Sequence, residues 1–306
     1  LDFAPVFKEI LVLFIIIFVG FVLKKKGLID NRLNSGLSEL LINLTLPALI
    51  ISSMYVEIDS EIIVNIQIIT LITIGVYLLT IVLSNLLVKV LPLPEDKKNI
   101  FIFMIVFGNV GYMGYPVLGV IYPEYGIFYG LFNNITFNVL LWTYGMYLFQ
   151  SDRKNYSVNP KNLINSGVVA ILIGFFLLLT GIRIPGPILG AIDQLGDMTF
   201  PLSMLIIGSS LAGIKIKNII TSKPIFMLTT VKLLFVPLIV LLLLRPFNIP
   251  DIVAHVTILL TAMPCAANSV VFAKKFNKDN QFAAQGVFVT TLLSMATIPL
   301  FLILLG

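Results

Sequence analysis

Apolar residues in this chain gather in unbroken blocks of about twenty, long enough to cross a bilayer core, rather than alternating in the manner of a strand. Ten windows qualify, at 6 to 23, 34 to 54, 62 to 90, 100 to 120, 125 to 149, 163 to 181, 187 to 211, 223 to 244, 252 to 273 and 280 to 305. Blocks that are apolar on every side fit helices that satisfy their own backbone hydrogen bonds in hydrocarbon, whereas a membrane barrel would alternate polar and apolar positions. The pattern predicts an all-α polytopic membrane protein with ten transmembrane helices. The fourth and ninth windows are the least regular, because Pro or Gly interrupts each near its middle. In the first block the basic cluster Lys24, Lys25 and Lys26 follows the apolar run. A signal peptide carries its positive charge in front, so this block is expected to be retained as the first span.

Composition sharpens the picture. The chain is 58% hydrophobic and 11% charged, where a soluble domain carries about a quarter charged residues. A mean hydropathy of +1.04 says the same. The net charge of +5 does not point to nucleic acid, because the basic residues form short clusters between apolar blocks, as in loops beside anionic lipid. Most of the 20 Lys and Arg fall in the odd-numbered connections: Lys24, Lys25, Lys26 and Arg32; Lys89, Lys97 and Lys98; Arg153, Lys154 and Lys161; Lys215, Lys217 and Lys223; Lys274, Lys275 and Lys278. The even-numbered connections hold Arg183 and Arg245 among Glu57, Asp59, Glu61, Glu124, Asp193 and Asp251. Positive residues stay in the cytoplasm, so both termini are expected to be extracytoplasmic. A single cysteine, Cys265, excludes an intrachain disulfide, and with a single histidine, His255, it argues against a Cys/His metal site. No metal and no cofactor are expected.

Sliding the chain against itself reveals a repeat at an offset of 154 residues. Gly27-Leu28 meets Gly181-Ile182, Thr45-Leu46-Pro47 meets Thr199-Phe200-Pro201, and Phe128 meets Phe282. The expected organisation is a first five-helix repeat at 1–150, a cytoplasmic linker at 151–162, and a second repeat at 163–306. An odd number of spans per repeat forces the second copy to be inverted. In transporters built this way the substrate site lies near the bilayer midplane, at discontinuous helices.

The fourth window supplies the strongest candidate site, Phe107-Gly108-Asn109-Val110-Gly111-Tyr112-Met113-Gly114-Tyr115-Pro116. Each interior glycine costs about 1 kcal/mol and an interior proline about 3 kcal/mol relative to alanine, so the helix is expected to open here. Peptide groups freed by the break must be buried in protein or line a wet cavity, where Asn109 and Tyr112 would add polar groups beside Val110 and Gly111. The plainer reading is that the glycines ease packing and Pro116 only kinks the helix; it gives Asn109 no task. The counterpart in the ninth window is Ala262-Met263-Pro264-Cys265-Ala266-Ala267-Asn268-Ser269, where Pro264 removes an amide and the offset sets it opposite Val110, not Pro116. Two half-helix N-termini aimed at one midplane would create a positive potential suited to a carboxylate.

Asn133, Asn134 and Asn138 lie in the fifth window, with Asn134 and Asn138 on one helical face, and Gln285 occupies the equivalent region of the tenth. They either touch substrate or tie helices together. Lys232 is the basic residue deep within a span, and it reads either as a charge partner for an anion or in coupling, or as a lysine that snorkels or pairs with a carbonyl near the Pro237 kink.

These motifs, together with Gly20-Phe21-Val22-Leu23-Lys24-Lys25-Lys26-Gly27-Leu28-Ile29, Leu44-Thr45-Leu46-Pro47-Ala48-Leu49-Ile50 and the run from Pro201 to Leu211, resemble the auxin efflux carrier family along the whole chain. That family includes plant auxin exporters and prokaryotic carriers of organic acids such as malonate or malate. The resemblance implies a fold like that of the bile-acid sodium symporters. Spans 1, 2, 6 and 7 would form a scaffold, spans 3 to 5 and 8 to 10 a transport domain with broken helices 4 and 9 crossing inside it, and an elevator-like movement would carry the site across. By the same resemblance Asn109 and Pro116, with Pro264 and Asn268, would flank the substrate. A prokaryotic plasma membrane is the expected location, and a homodimer through the scaffold is compatible with it. The segment from Gln150 to Asn162 is far shorter than the cytoplasmic loop of the plant exporters, so loop regulation and auxin as substrate are not expected.

The function expected is secondary transport of a small organic anion. A channel or sensor of the same fold is the alternative. An intramembrane enzyme would need a nucleophile and base or paired carboxylates inside the membrane, whereas the lone His255 sits near a loop and no buried acidic pair is expected. The coupling ion, H+ or Na+, is open.

Overall fold

The computed structural model describes residues 3–56, 59–150, 164–214 and 222–305. Among the described residues every regular element is helical, and the helices lie on the apolar windows: α1 Phe3–Lys25, α2 Asn31–Ser53, α3 Ser60–Val90, α4 Glu95–Val106, α5 Val110–Ile121, α6 126–149, α7 Ser166–Thr180, α8 Gly186–Ala212, α9 Lys223–Leu244, α10 Asp251–Thr261, α11 Asn268–Lys275 and α12 Asn280–Leu305. Six of them, α1, α2, α3, α8, α9 and α12, are long and apolar enough to cross a membrane, and α5, α7 and α10 are shorter apolar helices. Leu71, Leu179 and Phe226 are more than 70% exposed; such apolar surface fits lipid rather than water. The linker at 151–162, with Arg153, Lys154 and Lys161, lies outside the described residues, as do Glu57, Lys215 and Lys217.

The positions matched at the offset of 154 share local structure. Gly27 (φ 77°) and Gly181 (φ 65°) both take the left-handed conformation just past the ends of α1 and α7, which glycine adopts without steric cost. Thr45 and Thr199 are both fully buried, each two residues ahead of a proline where its helix departs from regular winding. Phe128 and Phe282 are both buried.

Three π turns, Leu41–Thr45, Val110–Gly114 and Val231–Phe235, each end two residues before a proline: Pro47, Pro116 and Pro237. A proline cannot donate to the carbonyl four residues back and its ring crowds that carbonyl. Widening the turn by one residue relieves the clash while the helix continues.

The chain divides into two compact units. One comprises Leu1–Gln67, Gly111–Ile135 and Pro160–Gly213. Within it α1 packs tightly along the second half of α8: a Cβ at Gly20 would lie 2.4 Å from Leu205 O, and one at Gly208 only 1.9 Å from Ile17 O. Glycines let the two backbones touch, as small residues do in membrane helix pairs. The end of α2 packs on α7 and on the first half of α8, with Gly174 against Met54 and Gly196 against Leu49. Hydroxyl groups tie the same elements: Ser52 donates to Asp193 at 2.5 Å and Ser166 to Ile42 O at 2.7 Å, and Ser209 donates to Asn34.

The other unit comprises Ile68–Val110, Thr136–Asn159 and Ile214–Gly306. Its α4 packs against the end of α6, α11 and α12 around an aromatic cluster in which Phe103 stands 4.7 Å from Phe107, 5.1 Å from Phe149 and 5.6 Å from Phe272, centroid to centroid. A second cluster, Val240, Leu241, Ile258, Ala262 and Phe301, joins α9, α10 and α12.

Candidate functional site

Both irregular windows are interrupted, and in the second unit the two interruptions meet. The α4 helix stops at Val106, Phe107 is extended (φ −101°, ψ 110°), and α5 starts at Val110. The α10 helix stops at Thr261 and α11 starts at Asn268. Gly108 and Cys265 form an antiparallel bridge: Asn109 N–H donates to Pro264 O at 2.7 Å and Ala266 N–H donates to Phe107 O at 3.0 Å. Sequence reasoning expects freed peptide groups to face a solute. Four of them instead pair with each other, which removes the cost of leaving them bare in a low-dielectric interior.

The break lies at the start of the expected glycine-rich run, upstream of Pro116. Helix α5 winds past Pro116 without interruption, because the π turn at Val110–Gly114 widens the winding just ahead of it and makes room for the proline ring. Pro264 by contrast sits inside the break, near the position the offset of 154 gives it. Small side chains are required here. A Cβ at Gly108 would lie 3.3 Å from Lys232 Nζ and 3.5 Å from Leu260 O and Met263 Cβ.

Lys232 is 2% exposed, on the π turn of α9 ahead of Pro237. Its Nζ donates to Ile105 O at 3.1 Å, the carbonyl pairing that one reading of the sequence expects. Cys265 is buried, and its N–H donates to Thr290 Oγ1 at 3.1 Å, while Thr290 donates onward to Gly286 O at 2.7 Å.

The structure therefore brings Asn109, Val110, Pro264, Cys265 and Lys232 together, with Asn268 opening α11 directly after. Gln285 is buried and Asn138 half-buried in the same unit. Gly111, Tyr112, Pro116 and Asn134 belong to the other unit, where Tyr112 packs on the cluster of Leu41, Leu202 and Ile206. None of Asn133, Asn134, Asn138 and Gln285 is free of partners. Ile105 and Thr290 were not among the residues expected to form the site. Thr290 shows in the sequence only as a hydroxyl within an apolar run, and the Ile105 carbonyl has no sequence signature at all.

A cavity of about 370 Å³ in the same unit is lined by Glu95, Asp96, Asn99, Ile100, Phe149, Asn277, Lys278 and Asp279. It adjoins the far end of α4, about 15 Å of helix from the break, and its acidic lining does not suit an anion. Among the described residues no group of His, Cys, Asp and Glu is placed to hold a metal ion.

Comparison with known proteins gives the class first: residues 5–302 match the family model described as membrane transport protein. The chain belongs to this family, the auxin efflux carriers that its motifs resemble. It is similar to an uncharacterized transporter of Methanocaldococcus jannaschii, at 25% identity over 95% of this chain and 96% of the other. It is also similar to an uncharacterized transporter of Methanothermobacter thermautotrophicus, at 23% identity over 97% of this chain and 98% of the other.

Proposed function

We propose that this chain is a secondary transporter of a small organic anion, a carboxylate, in the plasma membrane, working by elevator-type alternating access. The observation that carries the reading is the meeting of two interrupted helices at Gly108 and Cys265, deep in apolar protein, with a buried lysine beside them. Interrupted helices in membranes are tolerated where they serve a site, and half-helix N-termini such as those of α5 and α11 favour negative charge. Asn109, Val110 and Asn268 then contact the carboxylate beside Pro264 and Cys265. Asn138 and Gln285 of the same unit complete the path.

In this reading α4 with α5, and α10 with α11, are the fourth and ninth of ten spans in two inverted five-helix repeats. The shared local structure at Gly27 and Gly181, and at Thr45 and Thr199, supports the repeat. The grouping of α1, α2, α7 and α8 in one unit and of α9 to α12 in the other fits a scaffold and a transport domain, while α3, α5 and α6 are divided between the two units. Both termini are extracytoplasmic, and two copies pair through the scaffold.

The test is uptake by proteoliposomes of radiolabelled mono- and dicarboxylates under imposed proton or sodium gradients. Saturable uptake with counterflow is expected, and Asn109→Ala is expected to lose it. Flux that rises linearly with concentration and shows no counterflow would make the protein a pore.

A further inference from the structure

In an unbroken helix the carbonyl of Ile105 would accept from the N–H of Asn109, four residues on. That donor is diverted to Pro264 O at 2.7 Å, and the Lys232 ammonium takes its place at 3.1 Å. Ile105 lies in the last turn of α4, where unpaired carbonyls give a helix end its partial negative charge. Gly108 keeps the approach open, since even a methyl group there would crowd Nζ at 3.3 Å.

Capping one carbonyl does not need a charge; a buried hydroxyl or amide would do it without the cost of desolvating an ammonium. Among the described residues no carboxylate forms an ion pair with Lys232. The described helices of this unit carry Asp and Glu only near their ends. Among the described residues its hydrogen bond is to Ile105 alone. An ammonium has three N–H donors, so this cation keeps donors to spare beside the break.

We propose that the Lys232 ammonium is a tethered counter-cation: held on the Ile105 carbonyl at the end of α4, it supplies, in place of a free monovalent cation, the charge opposite the bound carboxylate. Uptake therefore needs no sodium. This rests on the carrier reading above and deepens it by assigning the charge partner and removing one coupling ion.

Initial rates of carboxylate uptake into proteoliposomes, measured in sodium and in N-methylglucamine buffers, test the wild-type protein without any substitution. Equal rates are expected, and loss of uptake without sodium would overturn the proposal. Lys232→Met, similar in length but neutral, should cut uptake about tenfold or more, the scale of one lost charge-assisted contact. Lys232→Ala leaves room for a small cation, and millimolar methylammonium should restore its uptake in a saturable way. Wild-type rates in Lys232→Met would overturn the assignment. Should the wild-type protein move no carboxylate, the carrier reading fails, and thermal unfolding of the purified proteins then decides the lysine alone. Methylammonium should raise the Tm of Lys232→Ala and leave the wild type unmoved. Equal response of the two proteins would mean that the space left by the lysine is no cation position.

Discussion

A Cβ added at Gly108 would meet Lys232 Nζ, Leu260 O and Met263 Cβ within 3.5 Å, so this glycine answers a demand for space rather than for a special backbone angle. Gly108→Val should push Lys232 off Ile105 O and cost about 1–3 kcal/mol of stability, the usual penalty of overpacking, read as a lower Tm together with lost uptake. Thr290 makes a different demand. Its hydroxyl accepts from Cys265 N–H at 3.1 Å, and Thr290→Val keeps the shape but orphans that buried donor, at about 1–3 kcal/mol. Thr290→Ser keeps the acceptor, so it should unfold close to the wild-type temperature; equal losses in both variants would assign the effect to packing.

At the level of elements, glycine and proline were the legible part. Their effects on the backbone are local, so a break could be placed in the fourth window and Pro264 inside the ninth. The break nevertheless falls at Gly108, because a π turn lets Pro116 enter a continuing helix. Which peptide groups end up paired was not legible, since Phe107 O and Pro264 O find their donors on a segment remote in sequence. For the same reason Asn109 was picked for its side chain, whereas the structure also gives its backbone N–H a task. The π turn at Val231–Phe235 carries a prediction of its own. Pro237→Ala restores the missing donor and removes the need for the wide turn; regular winding would shift Lys232 by about one residue, or 100° around the helix. Uptake should fall while the Tm holds or rises, opposite in sign to Gly208→Leu, whose side chain would collide with Ile17 O and part α1 from α8.

For the molecule as a whole, the single cysteine is a ready reporter. Cys265 is fully buried at the meeting of the two interruptions, so a membrane-impermeant maleimide should label it slowly, and only as fast as the site opens to one side. A transported carboxylate should change that rate, and its unchanged value at saturating substrate would detach Cys265 from the transport path. The bridge itself also bears on how the protein is made. Phe107 and Asn109 are inserted early, yet the groups that satisfy them belong to Pro264 and Ala266, which leave the ribosome near the end of synthesis. Until then the nascent chain carries bare peptide dipoles within the bilayer. A polypeptide stopped ahead of α10 should consequently be cleared by membrane proteases, so that only completed carriers accumulate.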